Sequence, residues 1–136
     1  MQTELFHSAF KFSPIGIALV SPEGKWLKVN DALLTLLGYS EEEFLSLDFL
    51  QMTHPEDLKA DLDYVSELVL GKRETYQMEK RYFHKNGSVV YALLSVSLIR
   101  NADFSPRFFT ILLISLSHFF ISFIQLFFNN DPLTNT

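Results

Sequence analysis

The stretch 75-TYQMEKRYFHKNGSVVYALLSVSLI-99 decides the fold of this chain, because it contains two long strand patterns on either side of Asn86-Gly87. An Asn-Gly pair between alternating apolar residues is the strongest short signal for a β-hairpin. One side of the second strand is entirely apolar, whereas the other side is mixed and carries Tyr91 and Leu93. We therefore expect one face of the hairpin to cover a core. The charges of the first strand, including Lys80, are expected on a wet surface or in pairs across the sheet.

Further strands must lie beside this hairpin, because an isolated hairpin is barely stable in water. Residues 15–20 and 26–29 have strand patterns on either side of the turn Ser21-Pro22-Glu23-Gly24. A turn-rich loop at 101–106 returns the chain for a fifth strand from Arg107 onward. The predicted order is two strands, three small helices and three more strands.

Start signals define the three helices. Asn30 caps the first helix and Gly38 stops it, and Ser40 with Glu43 forms a capping box for the second. The third helix opens at His54-Pro55. Its predicted buried stripe consists of Leu58, Leu62, Val65 and Val69, and its predicted wet face consists of Lys59, Asp61, Asp63, Ser66 and Glu67.

Composition excludes several classes of function. The chain has 136 residues, enough for one domain, and it carries 11 basic against 16 acidic residues for a net charge of -5. Its basic residues are scattered, which argues against a nucleic-acid surface. The absence of cysteine excludes disulfides, thiolate metal sites and a cysteinyl-flavin adduct. We divide the chain into an amphipathic lead-in at 1–12, a domain at 13–117 and an apolar tail at 118–136.

Motifs spread along the chain give it a resemblance to a known family. They are 13-SPIGIALV-20, 24-GKWLKVN-30, 36-LLGYSEEE-43, 54-HPEDL-58, 79-EKRY-82 and 85-KNGS-88. In this order they resemble a PAS domain of the S-box type with its PAC segment. The resemblance implies an α+β fold with a five-stranded antiparallel sheet in the order 2-1-5-4-3 and small helices on one face.

The resemblance also implies a function. PAS domains are sensory modules of bacterial signalling proteins such as sensor histidine kinases and diguanylate cyclases. This chain contains neither a kinase core nor a cyclase motif, so we expect a non-enzymatic module in a two-component or cyclase-associated system. Any catalysis would belong to an effector in another chain or in a longer product.

An alternative function is a receptor domain for a small molecule or cofactor. The resemblance places its pocket between the third helix and the sheet, near Leu62, Val65, Met78, Leu94 and Val96. Asn30 is interpreted either as a helix cap or as a polar contact at the mouth of that pocket. No cofactor is predicted, and haem is not expected because residues 58–70 contain no histidine. The four histidines are not spaced for a metal site.

A homodimer is the expected partner arrangement, with signalling by rearrangement of its two copies. The mixed sheet face and the two apolar flanks form the candidate surface, which consists of Phe6, Phe10, Tyr91, Leu93, Phe119 and Phe123.

The uncharged stretch at 108–128 has three interpretations. Its length suits a membrane-spanning helix. Alternatively, residues 108 to about 116 complete the sheet and an apolar helix follows, which is the interpretation we favour. A third interpretation is a truncated or out-of-frame ending. We expect a cytoplasmic module that associates with a membrane only through this stretch.

Overall fold

The computed structural model describes residues 2–116, which form five strands and five helices. In chain order these are α1 (Gln2–Phe12), β1 (Gly16–Val20), β2 (Trp26–Val29), α2 (Asp31–Leu37), α3 (Glu41–Leu45), α4 (Phe49–Met52), α5 (Pro55–Val69), β3 (Thr75–Phe83), β4 (Val89–Arg100) and β5 (Pro106–Ser115). All the strands pair antiparallel in the order β2-β1-β5-β4-β3. The predicted fold class and strand order are confirmed.

The central hairpin forms as its sequence predicts. β3 and β4 pair from Thr75 opposite Ser97 to Phe83 opposite Val89. In the connecting loop the amide of Gly87 donates to the carbonyl of His84 at 2.8 Å. Gly87 has a φ of 90°, a conformation that glycine adopts without a steric penalty. The Asn-Gly pair therefore sets both the position of the turn and the register of the two strands.

Local signals also place the helices as predicted. Asn30 caps α2, Gly38 ends it with a φ of 83°, and Ser40 with Glu43 forms the capping box of α3. Sequence analysis missed α4, a helix of four residues capped reciprocally by Asp48 and Gln51. One helical turn contains too few residues to show a periodic pattern, so only this capping box could have indicated it.

The buried stripe predicted for α5 is wrong in part. Leu62 and Val69 are each 41% exposed, whereas Leu68 and Asp61 are almost completely buried. Leu58, Asp61 and Leu68 follow one another at helical spacing, so the stripe that faces the sheet includes a carboxylate. The assignment of Asp61 to the wet face fails because the sheet supplies a buried cation opposite it.

The first part of the uncharged stretch lies in the sheet. β5 pairs with β1 and with β4, so it occupies the middle of the sheet and follows the favoured interpretation of residues 108–115. None of the helices in the part of the chain that the structure describes is long and apolar enough to cross a membrane. The predicted tail at 118–136, with Phe119 and Phe123, lies outside the described residues.

Candidate pocket and exposed sheet face

A cavity of about 260 Å³ lies between α5 and the inner face of the sheet. Four of the predicted pocket residues, Leu62, Val65, Leu94 and Val96, line it. Polar side chains also line it, and these are Ser21, Glu23, Trp26, Asp61, Tyr76, Lys80 and Tyr82. The remaining wall is mainly apolar and includes Val20, Phe49, Phe109 and Ile111.

Met78 is predicted to line the cavity, but it is not one of the lining residues. It packs against the core instead. Tyr76 and Lys80, which stand on either side of it on the same face of β3, converge on Asp61 and line that part of the cavity.

Asn30 is a helix cap, which is one of its two interpretations, and it is not among the residues that line the cavity. Its Oδ1 accepts from the amides of Ile17 and Leu33 at 2.9 and 3.1 Å. Its Nδ2 donates to the carbonyls of Phe10 and Ile15, both at 2.9 Å. These four bonds use the full capacity of the amide, so the buried side chain ties α1, β1 and α2 together and has none left for a ligand.

A buried ion pair is the main polar feature of the cavity. The Lys80 ammonium donates to Asp61 Oδ2, and the side chains are 2% and 3% exposed. The hydroxyl of Tyr76 donates to Asp61 Oδ1 at 2.5 Å. Lys80 also lies over the ring of Tyr82, with 4.6 Å from Nζ to the ring centroid. The expected wet position of Lys80 is therefore wrong, because its alternation with Tyr76 and Tyr82 places it on the inner face.

This environment determines the protonation of the cluster. Burial opposes the charge of Lys80, but the contacts with Tyr82 and Asp61 outweigh burial and hold the pKa of Lys80 above its usual value. Burial and the neighbouring Asp61 carboxylate raise the pKa of Tyr76, and burial does the same for Tyr82. Near neutral pH the cavity wall thus carries an ammonium and two neutral phenols.

Trp26 contributes a polar atom that sequence analysis did not foresee. It is 5% exposed and its ring centroid lies 4.8 Å from that of Phe44, so its ring packs in the core. Its Nε1, however, is buried without a hydrogen-bond partner among residues 2–116. Buried indole N–H groups usually find a partner. Trp26 lines the cavity, and it is the sole tryptophan of the chain.

The start of α5 has a structural role in this chain. His54 Nδ1 accepts from the amide of Glu56, which makes the histidine a helix cap as predicted. Asp57 accepts from the Arg81 guanidinium at 2.8 and 3.0 Å, and this bonding lowers the pKa of Asp57. The pair fastens the first turn of α5 to β3. Within the described residues no group of three or more histidine, aspartate or glutamate side chains is arranged to hold a metal ion.

The outer face of the sheet presents a patch of large apolar side chains. Tyr91 is 57% exposed, and Leu93, Leu112 and Ile114 are each about two-fifths exposed. Leu93 lies opposite Ile114 in the pairing of β4 with β5, so these four residues form one continuous surface. We call this group the outer patch.

The predicted contribution of α1 to an exposed surface is only half correct. Phe6 is 54% exposed, but Phe10 is 5% exposed and belongs to the buried residues of the chain. Phe10 is covered because its carbonyl is tied to Asn30 and its ring lies under Lys28, with 4.9 Å from Nζ to the ring centroid. Phe6 and Leu5 are the large apolar side chains that α1 leaves uncovered in its first two turns.

The geometry agrees with comparisons to known proteins. A sequence profile of the PAS fold matches residues 27–111, which is more than half of the chain. The chain belongs to the PAS family. The crystal structure of a PAS domain from Colwellia psychrerythraea superposes with a TM-score of 0.78, covering 87% of this chain and 99% of that one at 18% identity, a similarity that concerns the fold alone.

Relatives of this PAS domain occur in large signalling proteins. It is 53% identical over 104 residues to the probable diguanylate cyclase DgcE of Escherichia coli (strain K12), covering 76% of this chain and 9% of that protein. It is 31% identical over 100 residues to the sensor histidine kinase TmoS of Ectopseudomonas mendocina, covering 74% of this chain and 10% of the kinase. The chain thus spans about a tenth of the length of each of these two proteins.

Proposed function

We propose that this PAS domain is a sensory and interaction module that transmits a signal by rearranging two copies packed through the outer patch. The observation behind the proposal is the exposure of Tyr91, Leu93, Leu112 and Ile114 side by side. Contiguous apolar patches on soluble domains usually mark interaction sites. A second copy suits this surface because the four residues carry no charge and can pair with themselves across a two-fold axis.

Catalysis is assigned in this proposal to an effector and not to the PAS domain. The cyclase and kinase relatives match only over about a tenth of their lengths. A change of dimer packing would be the output that such an effector reads.

The dimer is tested by light scattering after size-exclusion chromatography on the full chain, whose mass is 15.7 kDa. We expect twice that mass for the native protein and a monomer for Leu93→Glu, because a buried unpaired carboxylate is costly in an apolar interface. Leu70→Glu is the matched control, since Leu70 is exposed beyond the end of α5 and away from the patch. A native monomer, or an unchanged dimer for Leu93→Glu, refutes the proposal.

A second candidate function, a small-molecule receptor, is favoured by the cavity itself. A mainly apolar pocket with a few convergent polar groups is the usual form of a ligand site. We propose that it works without a cofactor: the chain lacks the cysteine that a cysteinyl-flavin adduct needs, and α5 lacks an internal histidine for haem. Mass spectrometry of the native protein after denaturation, together with a visible absorbance spectrum, tests both statements. A co-purified flavin or haem would overturn the second.

A further inference from the structure

We infer that the cavity selects an uncharged, largely apolar small molecule that carries a hydrogen-bond acceptor such as a ketone or amide oxygen. This inference rests on the receptor function proposed above and specifies the ligand chemistry. It follows from the size of the cavity, from its unused hydrogen-bond donors and from the balance of its charges.

The size of the cavity sets the scale of the ligand. A dry cavity of about 150 Å³ holds benzene. Pockets for drug-sized ligands begin at about 300 Å³. The volume here, about 260 Å³, lies between these values and fits a substituted single ring or an aliphatic molecule of similar bulk.

The polar side chains of the wall include a donor without a partner in the described part of the chain. Both carboxylate oxygens of Asp61 already accept, one from Tyr76 and one from Lys80. Lys80 has three N–H donors; one goes to Asp61, and the ammonium also lies over the rings of Tyr82 and Phe49. The buried Nε1–H of Trp26 has no partner in the described part of the chain. A ligand that supplies an acceptor oxygen would satisfy a donor that is otherwise unpaired.

The charges of the wall favour a neutral ligand. Lys80 and Asp61 cancel one another at a site that is nearly closed to solvent. A carboxylate ligand would bring a third, unpaired charge into this site and would face Asp61 at close range. A cationic ligand would be repelled by Lys80, which already neutralises the charge of Asp61. Glu23 also lines the cavity but is exposed, so its charge remains in solvent.

The test uses three probes of similar size that differ in one property. Acetophenone carries a carbonyl, cumene has no acceptor, and benzoate has a charge. Each is titrated into the isotope-labelled full chain by ¹⁵N–¹H NMR, where the sole tryptophan gives one indole N–H resonance. We expect acetophenone to shift this resonance saturably and to bind about ten-fold more tightly than cumene, the factor that one net hydrogen bond supplies. It should also bind more tightly than benzoate, whose charge would be unpaired in this site.

Trp26→Phe is the variant that isolates the donor. Ligand-observed NMR should show that it binds acetophenone and cumene with a smaller ratio of affinities, because the ratio cancels the change in cavity volume. Phe12→Leu, which changes an exposed aromatic side chain at the end of α1 and away from the cavity lining, should leave the ratio unchanged.

The outcomes separate the inference from the receptor function. Equal affinities for acetophenone and cumene, or tightest binding of benzoate, would overturn the inference while the cavity remains a ligand site. An indole resonance that none of the three probes shifts, with no binding in the ligand-observed experiment, would overturn both.

Discussion

Removing the carboxylate of Asp61 should cost this domain much of its stability. Asp61→Asn leaves the ammonium of Lys80 in a nearly closed site without its counter-charge, since the two side chains are 3% and 2% exposed. Breaking a buried ion pair on one side typically costs about 3–5 kcal/mol. Folded domains of ordinary stability have only about 5–15 kcal/mol in total. We therefore expect a large loss of the free energy of unfolding, and a similar loss for Lys80→Met.

The double variant distinguishes a charge effect from a loss of packing. In Asp61→Asn with Lys80→Met neither charge remains, and the amide oxygen of the new asparagine can still accept from the Tyr76 hydroxyl. Replacing a buried pair by uncharged groups of similar volume is often close to neutral. The double variant should therefore be more stable than either single variant.

Urea unfolding followed by Trp26 fluorescence measures these differences, because the sole tryptophan is buried beside Phe44. The slope with urea should stay constant across the series, which shows that the same surface unfolds. Lys59→Met is the control: its ion pair with Asp63 is exposed and should contribute about 0–1 kcal/mol. The reasoning is refuted if Asp61→Asn costs no more than this control, or if the effects of the two single variants simply add.

Three further predictions concern stability. Asn30→Ala should lower the free energy of unfolding in urea by about 3 kcal/mol or more, because it removes a helix cap and leaves buried backbone groups unpaired. A loss of about 1 kcal/mol, which is typical of an exposed cap, would contradict the role of the four hydrogen bonds. Gly87→Ala should lower the free energy of unfolding by about 1–2 kcal/mol, because alanine must adopt the positive φ of this position. Gly38→Ala should lower it further, because a Cβ there would also lie 2.3 Å from the His84 ring. Equal melting temperatures of the two variants would contradict this order. Because the pKa of Lys80 is raised in the folded state, its contribution to stability is complete below about pH 10.5 and is lost as the pH rises towards the folded-state pKa. Above about pH 10.5 the native protein should therefore lose stability relative to the double variant Asp61→Asn with Lys80→Met. Parallel pH profiles of stability for the two proteins would contradict this expectation.

Much of the fold is predictable because its signals are local. Asn86-Gly87 fixes the central turn, and the apolar side of β4 from Val90 to Leu98 decides which face covers the core. The caps at Asn30 and Ser40 place α2 and α3 within a residue. Each of these signals depends on neighbours close in sequence, so it can be recognised without knowledge of the tertiary structure.

The buried ion pair was missed for a different reason. The period of β3 already places Lys80 on the same face as Tyr76, and the spacing of α5 already places Asp61 between Leu58 and Leu68. Both patterns indicate burial, but the residue types indicate exposure, because an isolated charge is almost never buried. Only the topology brings the two charges together across 19 residues, and each makes the burial of the other tolerable.

The two proposed surfaces lie on opposite faces of the same strands. Lys80, in the cavity wall, pairs in register with Ala92, whose chain neighbours Tyr91 and Leu93 form part of the outer patch. A ligand that accepts a hydrogen bond from Lys80 would therefore act on β3 directly beside the strand that carries the patch. α5 is held to β3 by two ion pairs, Asp61 with Lys80 and Asp57 with Arg81, so a shift of β3 would move the helix as well. The ligand site and the dimer surface would then be separated only by the thickness of one sheet. Coupling between them would need to pass only from β3 to the neighbouring β4.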